Sequence, residues 1–532
     1  MFMMLPFDDS SFGGRLRFLS LLCVLVAVLS FSLVSAGEGL TPALSSYVGG
    51  AAGDMLRDVA VDAQGNFYLV GGTYSADFPV TAGAFDTTHN GNCDVWVAKY
   101  SSAGIRLWAT FLGSPNYDRA YAVEVDSQGY VYVAGRSGQG FPTTAGSLQT
   151  GFGGDITPNS IYGQQDGFVT KLAPDGSRIA WSTYFGGTGR DFIRDIALDS
   201  GGNVFVAVSE VDQNHPHITA AAFQKSRKGA YDGVVGRLSA DGSSVIFASY
   251  FGGSTADGYT PSIRTDVLGN AYYLTTSDAN DIPVTASAYQ RTRGGSHDMV
   301  LSKLSPTGAL LFCTYFGGSG AEFSETHGLA VDGAGNAVIA STTMSANLPA
   351  TSGAFQSIYG GSGGASTGSN TNYSGDGFIA TISADGSSLL GCTYIGGSAG
   401  EGAEGVAVDG AGNVYVSGAT HSTNFPVTSG AYRATLGGGA DYFLVKLSPD
   451  LSRLIYGTYV GGSGTDYGRT LTVDAAGNGV IGGEVQSSNW PSLNAFDPSY
   501  GGQGDGGVFR FTAASSPAVP TEPTGLRVID IK

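Results

Sequence analysis

Short apolar runs, broken by turns rich in glycine and aspartate, fill most of the chain. Within them apolar and polar positions alternate, as in Val131-Tyr-Val133 and Phe168-Val-Thr-Lys-Leu172. That period of two predicts β-strands with one face packed against a neighbouring sheet. The runs come in sets. Seven times an apolar stretch ends in an aspartate turn, at intervals of 64 to 77 residues. The turn reads Asp-x-x-Gly-Asn from Asp62, Asp199, Asp266, Asp332, Asp409 and Asp474, with a variant from Asp126 to Tyr130.

Two further marks recur in fixed order. An aspartate opens a strand that usually carries a cation, as in Asp94-Val-Trp-Val-Ala-Lys99, Asp166-Gly-Phe-Val-Thr-Lys171 and Asp441-Tyr-Phe-Leu-Val-Lys446, and again at Asp232, Asp298, Asp376 and Asp505. A last strand then runs into two glycines, as in Thr183-Tyr-Phe-Gly-Gly187, Thr314-Tyr-Phe-Gly-Gly318 and Thr458-Tyr-Val-Gly-Gly462. Each set predicts four strands. In the second they are Ala120 to Val125, Val131 to Gly135, Gly167 to Leu172 and Ile179 to Phe185. Repeats of this length, with several short strands each, predict an all-β, seven-bladed β-propeller of four-stranded antiparallel blades. The strand motif Ser45-Ser-Tyr-Val-Gly-Gly50 precedes the first turn, and the last set stops at Val508-Phe-Arg-Phe511. An N-terminal strand completing the last blade follows as an expectation, since it would leave no blade short of a strand.

These motifs, with Phe-Pro-Val-Thr-x-Gly-Ala-Phe from Phe78 to Phe85 and its copy from Phe425 to Tyr432, resemble the SBBP (seven-bladed β-propeller) repeats of exported bacterial proteins. The resemblance covers about residues 43 to 511. It implies the propeller fold and a secreted or surface setting, and carries no catalytic residues with it. Departures are local: His215-Pro-His217 stands where the third set should show Phe-Pro, Thr381 replaces the strand cation, and 360–375 is a Gly/Ser/Asn-rich insertion.

The ends divide the chain into 1–36, 37–511 and 512–532. Arg15 and Arg17, the uncharged run from Phe18 to Val34 and the small residues Val34-Ser-Ala36 predict a cleaved signal peptide, with no membrane span in the mature chain. A Pro/Ser-rich linker and tail end it. Net charge is −18, which disfavours nucleic acid and anionic membrane. Of the 4 cysteines, Cys93, Cys313 and Cys392 survive cleavage, too few for a disulfide scaffold. A monomer is expected.

Candidate chemistry concentrates where each Gly-Gly corner enters the first strand. Acids recur there: Asp54, Asp118, Asp191, Asp257, Glu322, Glu401 and Asp466. The spacing predicts a ring of carboxylates around one channel mouth, with mutually raised pKa values unless compensated. One reading is loop capping, or pairing with Arg57, Arg194 and Arg469 three residues on. The other is a metal site, for which oxygen-only ligands favour Ca²⁺; no other cofactor is implied. His327, close to Glu325, is the one candidate general base, with a structural hydrogen bond as its alternative. His215 and His217 read as an exposed loop or as metal ligands. H-E-x-x-H and P-loop motifs are absent, and the glycine clusters fall in turns rather than between a strand and a helix.

The functional expectation is an exported, non-enzymatic propeller that binds or scaffolds a surface partner, protein or polysaccharide. Two alternatives stand beside it: an extracellular lyase or hydrolase acting at the channel mouth, and a structural spacer in a larger surface protein.

Overall fold

The computed structural model describes residues 39–155, 160–211, 214–255, 257–323, 326–361 and 375–514. Residues 41–512 form one compact unit. Of the other unit, Gly39, Leu40, Ala513 and Ala514 are described; Ala514 N–H donates to the Gly39 carbonyl at 2.9 Å. The predicted signal peptide, all but the first residues of the tail, and Glu325 lie outside the described residues.

Seven antiparallel sheets make up the fold, and each holds four strands in sequence order apart from two details. In the fifth blade the first strand is split into Glu322–Phe323 and Leu329–Val331. In the seventh sheet Leu40–Val48 lies beside Asp505–Ala513. The remaining first strands are Asp54–Val61, Arg119–Val125, Phe192–Leu198, Asp257–Thr265, Glu401–Val408 and Asp466–Val473. Each contacts the first strand of the next blade, and Asp466–Val473 contacts Asp54–Val61, so the first strands line a closed ring. No described helix is long and apolar enough to cross a membrane.

The core lies in the seams between blades. Tyr132, Val169 and Trp181 of blade 2, for example, pack on Ile193, Ile196 and Val206 of blade 3. Each fully buried Val, Leu or Ile contributes about 1.5–3 kcal/mol, so every seam is itself a stabilised interface. Cys93, Cys313 and Cys392 are buried free thiols within these layers.

The repeated motifs hold single blades together. Asp62 Oδ1 accepts the N–H groups of Gln64 and Asn66 at 3.0 and 2.9 Å, and Gly65 turns the chain at φ 75°. Lys99, opposite Tyr68 in the ladder, brings its Nζ to 3.9 Å from Asp62 Oδ2; Lys303 and Asp266 stand at 3.0 Å in the same relation. The strand cation is thus a brace for the turn aspartate. The tyrosine before Gly-Gly fixes the Phe-Pro loop: Tyr184 OH accepts the Phe141 N–H and donates to the Gly138 carbonyl, both at 2.9 Å. Tyr250 and Tyr394 make the equivalent acceptance from His215 and Leu348. His215 therefore does not sit in an exposed loop, as its proline neighbour suggested. It fills the buried phenylalanine slot of blade 3 and lies 4.9 Å from the Phe185 ring, with His217 on the same ring at 4.9 Å.

Candidate functional site

The seven acids expected to ring the mouth are placed differently. Asp54, Asp118, Asp191, Asp257, Glu322, Glu401 and Asp466 are all buried; five open the innermost strands, and Asp118 and Asp191 stand one residue before theirs. Their carboxylates turn back onto the preceding corner. Asp54 accepts the Gly50 N–H at 2.7 Å, Asp191 that of Gly187 at 2.6 Å, and Asp466 that of Gly462 at 2.8 Å. A hydroxyl from the second strand or the residues after it adds a further donor: Thr343 to Glu322 at 2.6 Å, Thr420 to Glu401 and Ser487 to Asp466 at 2.7 Å. Burial is the largest cause raising the carboxyl groups, to about 7 in Asp118 and Glu401 and about 6 in Asp257. Burial, not repulsion around a ring, is thus the main cause. An acid that opens a third strand comes up to the same corner: a Cβ on Gly49 would stand 2.8 Å from Asp54 Oδ2 and 3.0 Å from Asp505 Oδ1.

Two of the arginines three residues on pair with other acids. Arg57 reaches Glu484 at 2.7 Å and Arg469 reaches Glu404 at 3.0 Å. Among the described residues no three His, Cys, Asp or Glu side chains assemble a metal site. Most of the acids' oxygens serve backbone and hydroxyl donors, and no three of the acids converge on one point, so the set does not fit Ca²⁺, which takes 6–8 oxygen ligands.

In six blades the residue three places beyond the acid is instead the one that leaves the ladder and faces the channel. In the first strand of blade 1 the ladder passes from Leu56↔Gly71 to Asp58↔Val70 and skips Arg57. It skips Tyr121, Arg194, Glu404 and Arg469 at the same place in blades 2, 3, 6 and 7. In blade 4 Thr260 and Pro261 are both passed over, with Thr260 at φ 37°. These are β-bulges, which release one residue from pairing and re-aim its side chain. The sequence analysis picked out only the arginines at this position; where the acid position repeats, this one runs Arg, Tyr, Arg, Thr, Glu, Glu, Arg.

One side of the mouth is built from arginine and tyrosine. Tyr121 lies between two guanidinium groups, those of Arg119 and Arg194, each 4.7 Å from its ring centre. Arg119 also donates to the Tyr121 hydroxyl. Arg136, on the second strand of blade 2, is enclosed by Tyr162 at 4.1 Å, Phe192 at 4.6 Å and Tyr117 at 4.9 Å. Burial depresses the Arg57 guanidinium; Glu484 opposes this, and Arg119 and Arg469 add their repulsion to it.

Deeper in the channel a carboxylate layer crosses between blades. Asp58 accepts the Val123 N–H of blade 2 at 2.8 Å and the Thr470 hydroxyl of blade 7 at 2.7 Å. Asp195 accepts the Ile263 N–H at 2.9 Å and Arg264 Nη1 at 2.6 Å. His327 reaches in from the interrupted strand of blade 5, with Nδ1 3.6 Å from Asp58 Oδ1. Burial pulls the imidazole down to about 4, so it is neutral at physiological pH. Beyond this layer a cavity of about 270 Å³ is lined by Asp58, Glu124, Arg264 and apolar residues including Val125, Val408 and Val473. Burial raises Glu124 to about 8.

An SBBP beta-propeller repeat model matches residues 180–207 and 393–426. Over 242 residues the chain is 25% identical to the regulatory protein FlaEY of Caulobacter vibrioides, a stretch covering 43% of this chain and 24% of that protein's length. Among solved structures it is similar to a protein of unknown function from Dyadobacter fermentans (10% identity, 89% of this chain and 99% of that one, TM-score 0.43). It is also similar to a quinohemoprotein alcohol dehydrogenase from Pseudomonas putida (11% identity, 93% and 79%, TM-score 0.42). The chain is a seven-bladed β-propeller carrying SBBP-type repeats.

Proposed function

We propose that this propeller is an exported binding module that engages an extracellular or cell-surface partner, protein or polysaccharide, at the bulge-lined channel mouth. The observation that carries the reading is the bulge register. Six blades interrupt the ladder at one position, and the side chains released there are Arg in three blades and Tyr, Thr or Glu in the others, while the framework around them repeats. Rigid repeated scaffold with varied residues at one rim is how propellers and other repeat folds separate stability from recognition. Export rests on residues 1–36 and is tested by fractionating cells that express the whole chain.

The mouth is tested by immobilising the mature chain and measuring binding to a panel of surface polysaccharides and proteins, with Arg194→Ala plus Arg469→Ala as the altered form. Lost binding with an unchanged unfolding temperature supports the reading; unchanged binding moves the partner surface elsewhere. Turnover of a panel polymer would transfer the site to the lyase or hydrolase reading.

A further inference from the structure

The arginine side of the mouth holds more guanidinium groups than carboxylates facing them. Arg57 has Glu484 and Arg469 has Glu404. Among the described residues Arg119 and Arg136 have no carboxylate within 4.0 Å. Arg136 is 2% exposed, and its Nε and Nη2 have no hydrogen-bond partner; neither has the Nε of Arg119. Buried cations with no carboxylate beside them are unexpected in a chain of net charge −18.

We propose that Arg119 and Arg136, with Arg57 at the rim, form a binding site for a small oxyanion, a carboxylate or sulfate group, whose place the Tyr121 hydroxyl holds when the site is empty. The inference rests on the reading of the mouth as a binding surface. Guanidinium forks match both oxyanions, and the enclosing rings of Tyr117, Tyr162 and Phe192 limit how far the forks can turn. The overall negative charge repels a long polyanion and leaves a single recessed oxyanion group as the fitting ligand.

Tyr121 supplies the coupling. Burial raises its phenol, but Arg119, Arg136 and Arg194 together with the Arg119 hydrogen bond outweigh burial and bring it down to about 6. The charged and titratable groups facing it are Arg119 on its own strand, Arg136 on the neighbouring strand, Arg194 from blade 3, Tyr117 from the preceding corner and Arg57 from blade 1. Above pH 6 the phenolate is the local counter-charge. A bound oxyanion takes over that role, so Tyr121 picks up a proton from solvent on binding.

The test titrates the full chain with sodium sulfate and, separately, sodium glucuronate by calorimetry, with ionic strength held by chloride, at pH values on either side of 6. Saturable binding is expected, with loss of the near-ultraviolet phenolate band and affinity falling up to about tenfold per pH unit above that pKa. Tyr121→Phe keeps the ring and should make affinity independent of pH; Arg119→Gln should weaken it by about tenfold or more. If Arg136→Gln fails to fold, the first two variants carry the test. Absence of saturable binding for both anions, or equal affinity in Arg119→Gln, overturns the inference. Binding of only one anion supports it and names the group. A neutral partner still held at the mouth with no oxyanion binding would leave the binding-module reading standing, whereas oxyanion binding without any mouth-dependent partner would do the reverse.

Discussion

Thr470 of the seventh blade donates its hydroxyl to Asp58 of the first at 2.7 Å, across 412 residues of chain. The same carboxylate accepts Val123 N–H of the second blade, so one buried side chain joins both sides of the ring's seam.

Thr470→Val removes that donor at nearly constant volume and leaves a buried carboxylate oxygen short of a partner. A loss of about 1–3 kcal/mol is expected in denaturant unfolding. A cost within error would mean that the tie does not hold the seam.

Glu401 gives a pH signature. Its folded pKa of about 7 exceeds the ordinary 4.5, so the native state retains a proton that the unfolded chain releases. The stabilisation is complete below 4.5 and lost as pH rises to about 7, at no more than about 1.4 kcal/mol per unit. Glu401→Gln cannot ionise. Its stability relative to wild type should rise across that window in thermal scans at several pH values, and a constant difference would count against the assignment.

The first glycine of a Gly-Gly corner leaves room for two carboxylates. A Cβ on Gly317 would stand 2.4 Å from Glu322 Oε2 and 2.6 Å from Asp298 Cγ. Gly317→Ala should therefore lower stability by about 1–3 kcal/mol through overpacking, measured by the unfolding midpoint. By contrast Gly83→Ala has nothing within 4 Å of the added carbon, and its cost comes from φ 82° alone.

Millimolar Ca²⁺ should leave the unfolding temperature of the mature chain unchanged, because the seven corner acids already serve backbone and hydroxyl donors. A cation binding only the folded state at about 100 times its Kd would add about 2.7 kcal/mol. A chelator-sensitive rise, abolished by Asp191→Asn with Asp466→Asn, would reinstate the metal reading.

Much of the fold was legible because each structural device repeats. The strands read for the second set differ from Arg119–Val125, Val131–Ser137, Asp166–Leu172 and Ile179–Phe185 by at most two residues at an end. The site was less legible for the same reason. Recurrence drew attention to Asp54 and its counterparts, yet what recurs in every blade is what builds the blade. Arg57, Tyr121 and Glu404 occupy a position marked by its variation, and no local pattern announces a bulge. Arg136 was missed altogether, since only the blade 2–blade 3 seam places it among Tyr117, Tyr162 and Phe192.

Because each bulged residue is excused from the ladder, its side chain owes nothing to strand pairing or to the interblade core. Exchanging Arg for Tyr or Glu there changes the wall of the channel without changing the register of any sheet. The ring behaves as a socket whose contacts are exchanged singly or, where two meet as Arg469 meets Glu404, in pairs, so a repertoire of ligand preferences is open to one unchanging framework.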